Sequence, residues 1–285
     1  MPVRLILRAI LASLAIAFGC AAYAFLTLPN VSVLRTSNPS TTAFIELRER
    51  EAIARGETPR RLQHWINYSR ISPNLIRAVL VAEDGSFWKH DGVDYAQIRE
   101  SMEINLERME FARGASTITQ QLAKNLYLSP SKNPIRKLRE LLIARRLEAE
   151  LSKRRILEIY LNVIEWGEGI YGAGAAARSY FHKPAADLSA HEGALLAGAI
   201  INPRLLDPGH PTARLRRRQQ LILQRMDAVT PPPAVTEVSA PPAPVPTLVP
   251  EAPIPVVGPP TELPGETIPA AGTKSPGGRG PGSSH

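Results

Sequence analysis

The chain has 285 residues, a formal net charge of +8 and a single cysteine. That length allows one large domain or two small ones, and one cysteine excludes an internal disulfide framework. The positive excess suits an anionic partner: nucleic acid, a phosphorylated ligand or an anionic lipid surface.

Residues 1–8 carry Arg4 and Arg8, and the run from Ala9 to Leu28 then contains no charged residue. A helix of that composition is long enough for a hydrocarbon core of about 30 Å. The flanking arginines put the N-terminus in the cytoplasm and the rest of the chain outside. A cleaved signal peptide is the rival reading, although its apolar core would be shorter. Cys20 lies within the run and reads as a small membrane-embedded residue. An external address argues against nucleic acid as the partner of the basic charge.

The segment 29–228 is dense in helix signals and poor in strand signals, so we expect an all-α domain of at least six helices. The segment "SPNLIRAVLVAED" has Ser72 as a cap and Pro73 in the first turn, with Ile76, Val79 and Leu80 forming a buried stripe. Glu83 continues that stripe at the helix C-terminus, where desolvation and the helix dipole both disfavour its ionised form. Such a carboxylate is suited to acid–base work, or it is simply one of a frayed Glu–Asp pair. Gly85 is expected to release the chain from the helix, and Phe87, Trp88 and His90 to wall the carboxylate.

Next comes "GASTITQQLAKN", with Thr117, Gln120, Gln121 and Lys124 at helical spacing and Thr117–Gln120 in capping-box register. Free backbone N–H groups at this helix start would make an anion site. Long amides beside a lysine suit a sugar or phosphate, and a solvated face is the plain alternative. In "RKLRE", Arg136, Lys137 and Glu140 lie within one helical turn; spacing alone makes this an ordinary surface ion pair. Between Lys132 and Arg155 nine basic residues stand against three acidic, and Arg214, Arg216, Arg217 and Arg218 form a second basic cluster. The segments "SKRRILEIYLNVIEW" and "SAHEGALLAGAII" are further helices, the second opening with a Ser189–Glu192 capping box. His64, His182, His191 and His210 have no metal-ligand spacing. From 229 to 285 there are 16 prolines in 57 residues, which excludes helix and sheet interior and reads as a disordered, partly polyproline II tail.

In this order the segments resemble the peptidoglycan glycosyltransferases of glycosyltransferase family 51, over about residues 35–226. "EDGSFWKHDG" is similar to the motif E-D-x-x-F-x-x-H-x-G, "GASTITQQ" to the second family motif and "RKLRE" to R-K-x-x-E. "YLNVIEWG" and "ALLAGAIINP" correspond to two later motifs. The resemblance implies a lysozyme-like, mostly α fold and polymerisation of lipid II at a bacterial inner membrane, with the catalytic domain on the periplasmic side. It implies Glu83 as the base that deprotonates the acceptor's 4-hydroxyl and Glu140 as the second essential glutamate, at the donor diphosphate. Asp84, Phe87, His90, Ser116, Thr117, Gln120, Gln121, Lys124, Arg136 and Lys137 fall at matching positions and are implied to bind substrate. No cofactor is required, although a divalent cation, Mg²⁺ or Mn²⁺, can help offset the diphosphate. Residues 93–113 correspond to a membrane-facing region of the family. The partners implied are lipid II, the lipid-linked glycan strand and the membrane, with cell-division proteins or a transpeptidase as further candidates. A monofunctional enzyme is expected, because the proline-rich tail is unlike a transpeptidase module. A lysozyme-like hydrolase has no diphosphate to neutralise, and an inactive scaffold would not need both glutamates.

Overall fold

The computed structural model describes residues 2–108, 116–129 and 134–226. The proline-rich tail lies outside the described residues, as do Gly114, Ala115 and Asn133. Ten α-helices are described: α1 (Pro2–Leu26), α2 (Ala43–Ala54), α3 (Pro73–Glu83), α4 (Tyr95–Arg108), α5 (Ile118–Tyr127), α6 (Pro134–Glu150), α7 (Lys153–Val163), α8 (Ala173–Phe181), α9 (Ala190–Ala199) and α10 (Ala213–Met226).

The helix starts follow from local chemistry. Ser72 Oγ accepts the Asn74 N–H, and Pro73 fills the first turn of α3. Thr117 and Gln120 close a capping box on α5, and Ser189 and Glu192 close one on α9. Each satisfies backbone donors that the first helical turn would leave bare.

Helices α3, α9 and α10 pack together, and α5, α6 and α7 form a second packed group. The Gly193 position sets the α3–α9 approach: a Cβ there would stand 3.0 Å from the Leu75 Cα and 3.1 Å from its nitrogen. The core between the groups holds Trp166, Tyr160 and Phe87, all fully enclosed.

The structure adds a small sheet to the expected all-α plan. Strands β1 (Leu62–Gln63), β2 (Glu165–Gly167) and β3 (Ile170–Tyr171) take the order β1-β3-β2, with β1 parallel and β2 antiparallel to β3. Strands of two or three residues are too short to show a period-2 alternation, so the sequence pattern does not reveal them.

Helix α1 spans 25 residues and turns large apolar side chains outward, with Ile16 68%, Phe18 76% and Leu26 81% exposed. It starts before the uncharged run and ends two residues short of Leu28. Among the described residues no helix counts as long and apolar enough to cross a membrane. Several side chains of α1, including that of Cys20, are outside the described set. Just beyond its end, Arg139 of α6 donates to the Thr27 backbone oxygen and hydroxyl, each at 3.1 Å.

Candidate active site

Glu83 is the last residue of α3, as the apolar stripe predicts. Its Oε2 accepts the Gln121 Nε2 at 2.9 Å, and its Oε1 lies 4.0 Å from the Arg218 guanidinium of α10. Burial raises its pKa above the ordinary carboxylate value, and adjacent Asp84 adds to this. Gln121, Arg218 and Lys124 pull the other way without cancelling the effect. The carboxylate borders a cavity of about 440 Å³ whose lining includes Gln97, Ser116, Gln121, Arg218 and Arg225.

The residues after Glu83 do not wall it as expected. Asp84, not Gly85, makes the turn out of α3: it is the C-cap and gives its N–H to Leu80, and Gly85 is absent from the positive-φ glycines. The Asp84 side chain turns inward, 1% exposed. Its Oδ2 accepts the Ile118 N–H at 2.9 Å, and His90 Nε2 lies 3.0 and 3.1 Å from its two oxygens. Phe87 is enclosed in the core, edge-on to Trp88 and His90 and with Lys153 Nζ 4.5 Å from its ring centroid. His90 thus packs against Asp84 with Phe87 behind it, and Asp84 fastens the end of α3 to the start of α5.

That contact also changes the reading of the α5 N-terminus. The Ile118 donor is taken by Asp84, the Thr117 N–H by Gln120 Oε1 and the Gln120 N–H by Thr117 Oγ1. The anion that satisfies this helix start is therefore the chain's own carboxylate. Thr117 and Gln120 are buried in the cap, and Thr117 Oγ1 donates to the Gly92 carbonyl at 2.7 Å. Only Gln121 and Lys124 of the expected polar face project between the two glutamates' surroundings.

Glu140 of α6 is 3% exposed, so "RKLRE" is not a surface pair. Arg136 Nη1 meets its Oε2 at 2.6 Å, and Lys137 Nζ meets its Oε1. Lys137 also reaches Ser116 Oγ at 3.3 Å, joining α6 to the start of α5. Burial lowers the pKa of Lys124, and Arg136 and Lys137 add to this; Glu140 and, more weakly, Glu83 oppose it. These effects place Lys124 in the field of both glutamates.

Among the described residues, one group of three side chains is close enough to hold a metal: Asp84, His90 and Asp94. Within it His90 Nε2 lies 3.0 Å from Asp84 Oδ1, Asp84 Oδ2 accepts the Ile118 N–H, and Asp94 Oδ1 accepts the Gln97 N–H at 2.8 Å. A second charged cavity, of about 220 Å³, lies by Arg48, Arg55, Glu165 and Arg204. Arg48–Glu165, Arg55–Glu57 and Arg204–Glu168 pair there, away from both glutamates.

Sequence reasoning missed Arg218, Arg225, Gln97 and Tyr160 as site residues. Arg218 stood out only as part of a basic cluster, and Tyr160 only as a residue of the helical segment "SKRRILEIYLNVIEW". The Tyr160 hydroxyl donates to Gln121 Oε1 at 2.9 Å. In "YLNVIEWG", Asn162 clamps the chain instead: Oδ1 accepts the Ile66 N–H, and Nδ2 donates to the carbonyls of Ile66 and Glu158.

A helical domain that sets one desolvated carboxylate at a cavity and a second among cations suits acid–base chemistry beside an anionic group. The family described as Transglycosylase matches residues 49–227, and the chain belongs to it. Its relatives include a protein of Nitrosomonas eutropha, 47% identical over 78% of this chain and 89% of its own length. One from Chromobacterium violaceum is 44% identical over 80% of this chain and 99% of its own length. A third, from Laribacter hongkongensis, is 44% identical over 69% of this chain and 86% of its own length. All three carry the name biosynthetic peptidoglycan transglycosylase.

Proposed function

We propose that the chain is a peptidoglycan glycosyltransferase that polymerises lipid II into β-1,4-linked glycan strands for the cell wall, releasing polyprenyl diphosphate. The observation that carries the reading is the contrast along α5: Gln121 meets the desolvated Glu83, and Lys124, one turn further on, lies in the field of the cation-bound Glu140.

Glu83 takes the proton from the acceptor's 4-hydroxyl, and its raised pKa makes it a better proton acceptor than an ordinary carboxylate. The oxygen forms a bond to the anomeric carbon of the donor sugar. The bond from that carbon to the diphosphate breaks, and its electron pair leaves with the phosphate. Attack opposite the leaving group turns an α-linked donor into a β-linked product. Negative charge accumulates on the departing diphosphate, and Lys124, Arg136 and Lys137 are the cations that stabilise it. Glu140 holds Arg136 and Lys137 in place for that task.

Helix α1 is read as a single-pass anchor in the cytoplasmic membrane, with the catalytic domain on the outer side. Its 25 residues extend about 37 Å, and its outward apolar side chains gain by leaving water. The lipid substrate supports that address.

The test is polymerisation of labelled lipid II by the detergent-solubilised protein beside Glu83→Gln. Lysozyme-sensitive polymer from the wild type and none from the variant is the expected result. Equal polymer from both would remove Glu83 as the base.

A further inference from the structure

We infer that Tyr160 is a positioning residue for Glu83, acting through the Gln121 side chain; the inference rests on the reading of Glu83 as the base. Tyr160 lies on the buried stripe of α7 and is wholly enclosed. Its hydroxyl donates to Gln121 Oε1 at 2.9 Å, and Gln121 Nε2 donates to Glu83 Oε2 at 2.9 Å. Three helices are thereby joined by two hydrogen bonds that end on the carboxylate.

The direction of these bonds follows from the chemistry of the groups. A side-chain amide has two orientations of nearly equal shape, with oxygen and nitrogen exchanged. The opposite one would press a carbonyl oxygen against the Glu83 carboxylate. It would also turn an NH₂ towards the Tyr160 oxygen and leave the phenolic proton without its acceptor. Burial, with Glu83 and Asp84 adding to it, pushes the Tyr160 pKa well above 10. Tyr160 is therefore a hydrogen-bond donor at every working pH, and Gln121 Oε1 is the acceptor it requires.

The consequence is a division of labour between the two oxygens of Glu83. Oε2 is occupied by the amide, and Oε1 is the oxygen that faces Arg218. Proton transfer from the acceptor hydroxyl is therefore assigned to Oε1. The groups acting on this carboxylate are Gln121 and Lys124 from α5, Arg218 from α10 and Asp84 from its own turn. From α7, Tyr160 touches Gln121 and acts on the carboxylate through it.

The test measures kcat, KM and the pH profile of lipid II polymerisation with the full chain in detergent. It compares wild type, Tyr160→Phe, Gln121→Met, the double variant and Glu83→Gln. Tyr160→Phe removes one oxygen and no packing volume. Losing a hydrogen bond of about 1 kcal/mol corresponds to a fall in kcat of roughly fivefold, with KM within about twofold. The acid limb of kcat moves up by about half a pH unit, because an amide free to rotate stabilises the ionised base less. In the Gln121→Met background the same change has no further effect on kcat, since the link is already cut.

An equal fall in both backgrounds, a change in KM alone, an unmoved acid limb or loss of folding in Tyr160→Phe would each overturn the proposal in favour of a packing role. Polymer from Glu83→Gln would overturn the base reading and the relay with it. A dead Glu83→Gln beside an unaffected Tyr160→Phe would overturn the relay alone.

Discussion

Replacing Asp84 by alanine tests whether this carboxylate holds the site together. The side chain is 1% exposed and serves two buried donors, the Ile118 N–H at 2.9 Å and His90 Nε2 at 3.0 Å. A buried donor left without a partner costs about 1–3 kcal/mol, and the α5 N-terminus loses a favourable carboxylate worth about 0.5–1 kcal/mol. The expected loss is therefore about 2.5–7 kcal/mol. For a domain of this size that lowers Tm by roughly 5–25 °C. Asp84→Asn keeps an oxygen for Ile118 but loses the charge and puts an NH₂ in place of one acceptor beside His90 Nε2, so it costs less than alanine, about 1–3 kcal/mol. Thermal unfolding followed by circular dichroism separates the two variants, and KM for lipid II is measured alongside. Asp84→Ala melting within about 2 °C of wild type, with its defect confined to KM, would refute the structural reasoning and make Asp84 a substrate contact.

Glu83→Gln should be inactive yet more stable than wild type at neutral pH, by about 1 kcal/mol. The folded-state pKa of Glu83 is raised, so its contribution to stability is fully present below the ordinary carboxylate range and is lost as pH rises through the folded value. The gain in Tm should accordingly shrink towards pH 4, and a gain independent of pH would contradict the cause given. Lys124→Met removes a cation whose pKa burial lowers, so Tm should rise while KM for the donor worsens; a lower Tm would show that Lys124 is stabilised where it stands. Gly172→Ala should cost about 3 kcal/mol by thermal melting, because φ there is +81° and a Cβ would meet the Asn162 carbonyl oxygen at 2.7 Å.

The features legible in the sequence were those decided within a few residues. The caps at Ser72, Thr117 and Ser189 depend on a side chain and a backbone N–H two or three positions on, so the local pattern states them. The burial of Glu83 was legible because it continues the spacing of Ile76 and Val79. What the pattern could not state was where a side chain goes when its partner is distant in the chain. Asp84 could have faced the cavity or the core, and the choice is made by the bare N–H of Ile118 on another helix. Arg218 meets Glu83 only because α9 seats α10 against α3. Glu140 looked like half of a surface pair until the packing of α6 on α5 enclosed it. Gly85 was expected to release the chain from the helix, but Asp84 already ends it.

The two glutamates meet opposite chemical needs, and their neighbours differ accordingly. Glu83 has one neutral amide at hydrogen-bond distance and one guanidinium at 4.0 Å, which orient it without neutralising it. Glu140 has a cation on each oxygen. Its effect is exerted through the cations it gathers, one of which also touches Ser116. Helix α5 spans both environments, with Gln121 on Glu83 and Lys124 one turn on, in the field of Glu140 as well. In the proposed mechanism, the separation between where a proton is taken and where negative charge is received is therefore set by a single rigid element. Rotation of α5 about its axis would misplace both groups together. The bond from Ile118 to Asp84 opposes that rotation at the first residue of the helix, so the buried Asp84 carboxylate fixes the element that carries both groups.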